Sequence, residues 1–273
     1  MLVNAANITE KKYTKLIIQV SLQGMSFCNM DTLNQKVLGI EEVIFDTTNG
    51  QKTVEDAVNE VLKSNLLFQE SYDEVVVLYE NNMVTFVPTP LFEETSLGSY
   101  LQYNTKVFET DFFAFDNLPS YSMHSVYVPY MHIHNLLVDH FGSFSYKHSH
   151  SLLVSKLLDL SKNVDVKKMI VHMQMGHFEI VIVQNQHLLL YNSFEYKSPE
   201  DLIYYVLFSA EQLNLNPESL RLEFMGAIKE TDDYFKIAYK YIRDVSLFDV
   251  TDLQNNNSFT VAENLKHFIL LQS

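Results

Sequence analysis

Six of the ten histidines in this 273-residue chain fall between positions 124 and 150: His124, His132, His134, His140, His148 and His150. Imidazole ligates metals and carries protons near neutral pH. If SFSYKHSHS is a strand, His148 and His150 share one face, because strand side chains alternate. With Asp139 or His140 they would complete a metal site. Against this, His132 and His134 fall on different sides of the helix expected there. HExxH is absent and the spacing fits no standard zinc pattern, so the reading is scattered surface histidines and no metal. A hydrolase triad lacks its G-x-S-x-G elbow, and neither G-x-G-x-x-G nor a Walker P-loop occurs. Glu230, Asp232 and Asp233 stand at an expected helix start, where carboxylates complement the helix dipole. The single cysteine, Cys28, lies in an apolar run. It reads as a buried, inert thiol and excludes an intrachain disulfide.

Two further spots are glycine turns, Leu22-Gln23-Gly24 and Gln174-Met175-Gly176. Tight hairpin turns often demand positive φ, which glycine supplies without strain. The elements around them follow one plan. KLIIQVSL, MSFCNM and QKVLGIEEVIFD read as three strands, the third bulged near Gly39. Thr53 then caps a helix whose apolar stripe is Val54, Ala57, Val58, Val61 and Leu62. DEVVVLYE follows as a strand buried on both faces, and Asn-Asn turns it back into MVTFVP. In the second half, KKMIVHMQM, HFEIVIV and HLLLYNSF are the three strands. Ser198 caps a helix with Pro199 at its first position and a stripe of Leu202, Val206, Ala210 and Leu213. LRLEF is the strand after it. The stretches from Thr53 to Val75 and from Ser198 to Leu220 are equally long. Together these features indicate an internal duplication of topology.

Between the halves, YSMHSVYVP is strand-like, MHIHNLLVDHF a helix ended by Gly142, and LLVSKLLDLS an amphipathic helix. Residues 92–120 have no clear period and read as a surface excursion. Near the C-terminus, TDDYFKIAYKYIR is helical, VSLFDV a strand, QNNNS a loop, and Thr260 caps a last helix. The expected division is an N-terminal lobe over 1–162 and a C-terminal lobe over 163–273, with the last helix packing back on the first lobe and a cleft between.

Hydrophobic residues make up 47% of the chain, enough for a sizeable core. The net charge of −15 repels phosphate backbones and anionic lipid, so nucleic acid is not an expected partner. The start of the chain lacks the pattern of a signal peptide. The best membrane candidate, MIVHMQMGHFEIVIV, is interrupted by His172, Gln174, His177 and Glu179 and is too short to span a bilayer. A soluble cytoplasmic protein with no membrane insertion is the expectation.

A twofold repeat of three antiparallel strands, a helix and a further strand is the plan of the ribonuclease-H-like lobes of actin and the sugar kinases. The expected fold class is therefore α/β, with two such lobes, each a mixed five-stranded sheet with helices. The sequence also resembles the bacterial domain-of-unknown-function 3822 family, found in Bacteroidetes. The resemblance rests on LLLYNSFEYKSPEDLIYYVLFSAEQLNL at 188–215 and LRLEFMGAI at 220–228, supported by MIVHMQMGHFEIVIV at 169–183 and VTFVPTPLF at 84–92. It implies an actin-like ATPase fold and no established activity. In that fold class each lobe offers an Asp-x-Gly turn, whose carboxylate holds Mg²⁺ and whose glycine admits the phosphates. Here Leu22 and Gln174 stand where the aspartates would be. A Gly-Gly pair that contacts adenosine corresponds to Gly226-Ala227, with one glycine kept. The candidate degenerate nucleotide cleft is thus Gln23, Gly24, Met25, Gly176, His177, Gly226 and Ala227. Without a carboxylate-held metal, phosphoryl transfer loses its main electrostatic stabilisation. The leading expectation is a non-catalytic scaffold, a pseudo-ATPase without cofactor that binds an unidentified protein partner. The alternative is a nucleotide-binding protein or weak ATPase that takes ATP in the inter-lobe cleft, and a third reading is a metal-dependent enzyme built on the histidine-rich middle.

Overall fold

A computed structural model describes residues 11–46, 52–108 and 110–273. Residues 1–10, read above for a targeting signal, lie outside them. The first sheet contains β1 (Thr14–Val20), β2 (Gly24–Asp31), β3 (Lys36–Ile44), β4 (Glu74–Tyr79) and, from further along the chain, β8 (Ser145–His148), in the order β3-β2-β1-β4-β8. The second sheet contains β9 (Lys168–Met173), β10 (His177–Gln184), β11 (His187–Glu195), β12 (Arg221–Gly226) and β13 (Asp244–Leu247), in the order β11-β10-β9-β12-β13. In each, three antiparallel strands are followed by a crossover helix and two strands that run parallel to the first. The mixed α/β class and the duplicated plan agree with the sequence reading.

The crossover helices begin where their caps dictate. Thr53 opens α1 (Val54–Ser64) and Ser198 opens α5 (Pro199–Gln212). In both, the cap hydroxyl accepts from the third residue's N–H while that residue's Asp side chain accepts from the cap's N–H. The expected bulge lies beside Gly39, where the β2–β3 register slips.

Strand alternation sorts the side chains into three cores. Leu16, Ile18 and Val20 of β1 point into a cluster with α1 and α3 (Met131–Phe141). Met169, Val171 and Met173 of β9 point into another with α5 and α6 (Asp233–Tyr241). The opposite faces, carrying Ile17, Ile170, Val181 and Met225, meet in one cluster between the sheets. Helix α4 (Ser149–Leu160) and the C-terminal helices α8 (Val261–Lys266) and α9 (Phe268–Leu271) pack into that cluster through Leu153, Leu157, Leu265 and Phe268.

Three expectations are corrected. MVTFVP does not fold back on β4: β5 (Val84–Pro88) joins β6 (Ala114–Leu118) and β7 (Met123–Tyr127) in a separate sheet of order β5-β7-β6. That insertion has its own small core of Val87, Leu101, Val126 and Val128, and α2 (Leu97–Leu101) lies within it. SFSYKHSHS is not one strand: β8 stops at His148 and α4 starts at Ser149, because the His148 side chain accepts the His150 N–H as an N-cap. Finally, helix α7 (Thr251–Asn256) covers part of the expected QNNNS loop. No helix among the described residues is long and apolar enough to cross a membrane.

Candidate site between the two hairpins

The face of β9 and β10 that carries Ile170, Val181 and Val183 into the central cluster also carries His172, His177 and Glu179, by the same alternation. His172 and Glu179 are directly opposed across the antiparallel pair. The Nδ1 of His172 lies 2.8 Å from Glu179 Oε2, and Ser193 Oγ donates to Oε1 at 3.2 Å. From the other side α4 supplies His150, whose Nε2 is 3.6 Å from the same Oε2. His177 Nε2 is 3.3 Å from Oε1. Glu179, His150 and His148 are completely buried and His172 is 1% exposed, so this is a polar knot inside the protein.

Outer partners fix the rings. The Tyr191 hydroxyl is 2.6 Å from His150 Nδ1, and Gln174 Nε2 is 3.1 Å from His172 Nε2. Burial drives the His150 imidazole down to about 4, so it is neutral at pH 7. Burial pushes the Glu179 carboxyl up, but the neighbouring His150 and the hydrogen bond from His172 outweigh it and hold Glu179 at about 2, ionised. Burial raises the Tyr191 phenol far above its ordinary value. Beside the knot, Glu80 is also buried; its carboxyl is raised by burial and accepts from Gln19 Nε2 at 2.5 Å.

The knot lies under the cleft between the two glycine hairpins. Gln23, Gly24, Met25 and His177 line that cleft together with Glu80, Gln174 and Lys266, around a cavity of about 80 Å³. Lys266 pairs with Glu42 there. The other predicted residues do not themselves line this cavity. Gly176 forms the turn between Gln174 and His177, and Ala227 lines a different depression, with Tyr196 and Thr231.

Each of the three glycines meets a local demand of the backbone. Gly176 and Gly226 have φ of +81° and +87°. A Cβ at Gly226 would stand 2.2 Å from the Met173 carbonyl oxygen, which accepts the Ala227 N–H at 2.9 Å. Gly24 does not take the positive φ expected of a hairpin glycine. Its turn is held instead by the Ser21 hydroxyl, which accepts from the N–H groups of Gln23 and Gly24, and its constraint is the Val43 carbonyl, 2.6 Å from where a Cβ would be.

The histidines of the middle segment divide. His148 and His150 enter the buried core, whereas His134 bonds the Tyr79 hydroxyl at 2.7 Å and His140 bonds the Phe68 carbonyl at 2.8 Å. Asp139 and His140 are not in the knot, which draws His172 and Glu179 from the other half of the chain. The sequence reading passed over those two residues as mere interruptions of an apolar run. Their signal was a histidine and a glutamate equally spaced about the Met175-Gly176 turn, inside strands that are largely apolar.

No curated protein matches the chain. Among solved structures, a Bacteroides thetaiotaomicron protein with actin-like ATPase fold and unknown function is 22% identical, over 98% of this chain and 99% of that one, with a TM-score of 0.83. The PilM-PilN type IV pilus biogenesis complex matches at 12% identity over 94% of this chain and 98% of that one, with a TM-score of 0.54. These likenesses establish the actin-like ATPase fold. The family described as protein of unknown function DUF3822 matches residues 4–245, and the chain belongs to that family.

Proposed function

We propose that this protein is a non-catalytic member of the actin-like fold that works by binding a protein partner, not by turning over nucleotide. The observation that carries this reading is the cleft. Its cavity of about 80 Å³ compares with roughly 300–1,000 Å³ for typical small-molecule sites. Neither hairpin turn presents a carboxylate: Leu22 is an exposed apolar side chain, and Gln174 is committed to His172. The positive φ of Gly176 and Gly226 and the close backbone approach at Gly24 and Gly226 account for these glycines without a phosphate. The PilM-PilN neighbour, a complex of two proteins by its name, offers an analogy for this use of the fold.

On the surface, Tyr204 and Phe208 of α5 stack with their rings 6.2 Å apart while 62% and 44% exposed. Such a pair suits contact with a partner's apolar surface. Isothermal titration of the full chain with Mg²⁺ and ATP is expected to give no binding heat up to millimolar nucleotide, and no phosphate release above background. Magnesium-dependent binding below millimolar concentration would sink the reading. In-cell cross-linking adds the partner side: Tyr204→Ser with Phe208→Ser is expected to lose the main cross-linked species while keeping the wild-type melting temperature.

A further inference from the structure

Glu179 is completely buried, and among the described residues the basic groups within 4 Å of it are three imidazoles, with no lysine or arginine. An ionised carboxylate in such a place is costly unless a cation compensates it. The rings around it are also incompletely used. The Nε2 atoms of His150 and His177 are buried and make no hydrogen bond among the described residues. Both lie close to the carboxylate, at 3.6 and 3.3 Å.

We propose that this knot binds one divalent transition-metal ion of the zinc class, ligated by His150 Nε2, His172 Nδ1 and the Glu179 carboxylate, with the fourth position facing His177 and the cleft. The donor atoms of the three ligands already lie within 4.8 Å of one another. Donors around a tetrahedral zinc, with bonds of about 2.0–2.1 Å, are about 3.3 Å apart. The pair distances to Glu179 Oε2, 3.6 Å from His150 and 2.8 Å from His172, bracket that value. For these two pairs, adjustments of about half an ångström suffice, and the two imidazole nitrogens need only close from within 4.8 Å of each other.

The outer partners are those a metal centre uses to orient its ligands. Tyr191 oxygen can accept from the His150 Nδ1–H, and Ser193 already donates to the carboxylate. Gln174 reaches His172 Nε2 and needs only its amide turned over to accept the ring N–H. Two imidazoles and a carboxylate favour zinc, cobalt or nickel over magnesium or calcium, which prefer oxygen alone. Entry is through the cleft, which His177 and Gln174 line.

The test is elemental analysis and zinc titration of the full chain, purified without a histidine tag and stripped with chelator. About one equivalent of zinc is expected to bind and to raise the melting temperature. The cobalt-loaded protein is expected to show the visible absorption of a tetrahedral site. Glu179→Gln and His172→Ala are expected to abolish both signals, whereas His132→Ala, a change at an α3 histidine outside the knot, leaves them intact. Tyr191→Phe is expected to weaken binding by about 10–100-fold. If a ligand variant fails to fold, X-ray absorption at the zinc edge of the wild-type protein decides, with imidazole scattering expected. Absence of stoichiometric zinc, zinc that survives Glu179→Gln, or an edge spectrum without imidazole overturns the proposal.

Discussion

His172 and Glu179 face each other across the β9–β10 pair with Nδ1 2.8 Å from Oε2, both inside the protein. The contact couples the hairpin to the core. His172 is the only hydrogen-bond donor ring to that carboxylate, and Ser193 the only hydroxyl donor, among the described residues.

Removing both members should therefore cost less than the sum of the two single changes. His172→Ala strips the buried carboxylate of its best donor and is expected to destabilise the metal-free protein by about 3 kcal/mol. Glu179→Gln leaves a neutral amide in the same volume and should cost less. In a double-mutant cycle read by urea denaturation, the pair should couple by about 1 kcal/mol or more. Strict additivity would show that the contact contributes nothing to stability.

Acid should unfold the chelator-treated protein early. Burial holds His148 well below its ordinary value and His150 at about 4. A histidine with a lowered folded pKa is neutral in the native state while the unfolded chain takes up its proton. Its contribution is therefore intact above about pH 6.5 and falls as pH drops towards 4. Glu179, with its folded pKa depressed, acts in the same direction below about pH 4.5, where the unfolded carboxylate protonates first. Between pH 7 and pH 5 the two histidines should lower unfolding free energy by on the order of 3 kcal/mol, read from urea midpoints. A flat stability profile over that interval would show that the rings are not buried neutral.

The thiol makes the opposite prediction in alkali. Cys28 is fully buried and burial pushes it up to about 12. A raised folded pKa means its contribution is complete below the unfolded value near 9 and is lost as pH rises towards 12. Ellman's reagent at pH 8 is expected to leave the native thiol unmodified and to react fully in denaturant. Rapid native labelling would contradict the packing of Ile17, Cys28 and Leu153 in the central cluster.

Much of this architecture was legible because it is written locally. The capping boxes at Thr53 and Ser198, the apolar stripes of α1 and α5, and the period-two strands each needed only neighbouring residues. Even the His172–Glu179 pairing was readable, since a hairpin turning at Met175-Gly176 must oppose residues equally spaced about that pair. What sequence could not reach was non-local. Nothing in MVTFVP distinguishes a strand that pairs with β4 from one that pairs with β7. Nothing near His150 says that α4 will dock its first turn against β10, so a site drawing one ligand from α4 and two from the β9–β10 hairpin stays hidden. The strand expected through His148 and His150 failed because a histidine side chain caps the helix, a role more often filled by Ser, Thr or Asp.

The glycines give the last prediction and bear on nucleotide binding. If Gly176 and Gly226 were kept for phosphate and adenosine, alanine at either would be a comparable, purely functional change. The packing predicts unequal structural effects instead. At Gly176 a Cβ meets nothing within 4 Å, so Gly176→Ala carries only the strain of φ +81°, about 1 kcal/mol. At Gly226 the same strain is joined by a Cβ 2.2 Å from the Met173 carbonyl oxygen, a contact with backbone that cannot swing away. Relief requires β12 to separate from β9 at the point where Ala227 N–H bonds Met173. Gly226→Ala is therefore expected to cost about 3 kcal/mol or more, or to prevent folding. Thermal melts of the two variants decide. Equal and negligible shifts would remove the structural explanation of Gly226 and return the cleft to consideration as a nucleotide site.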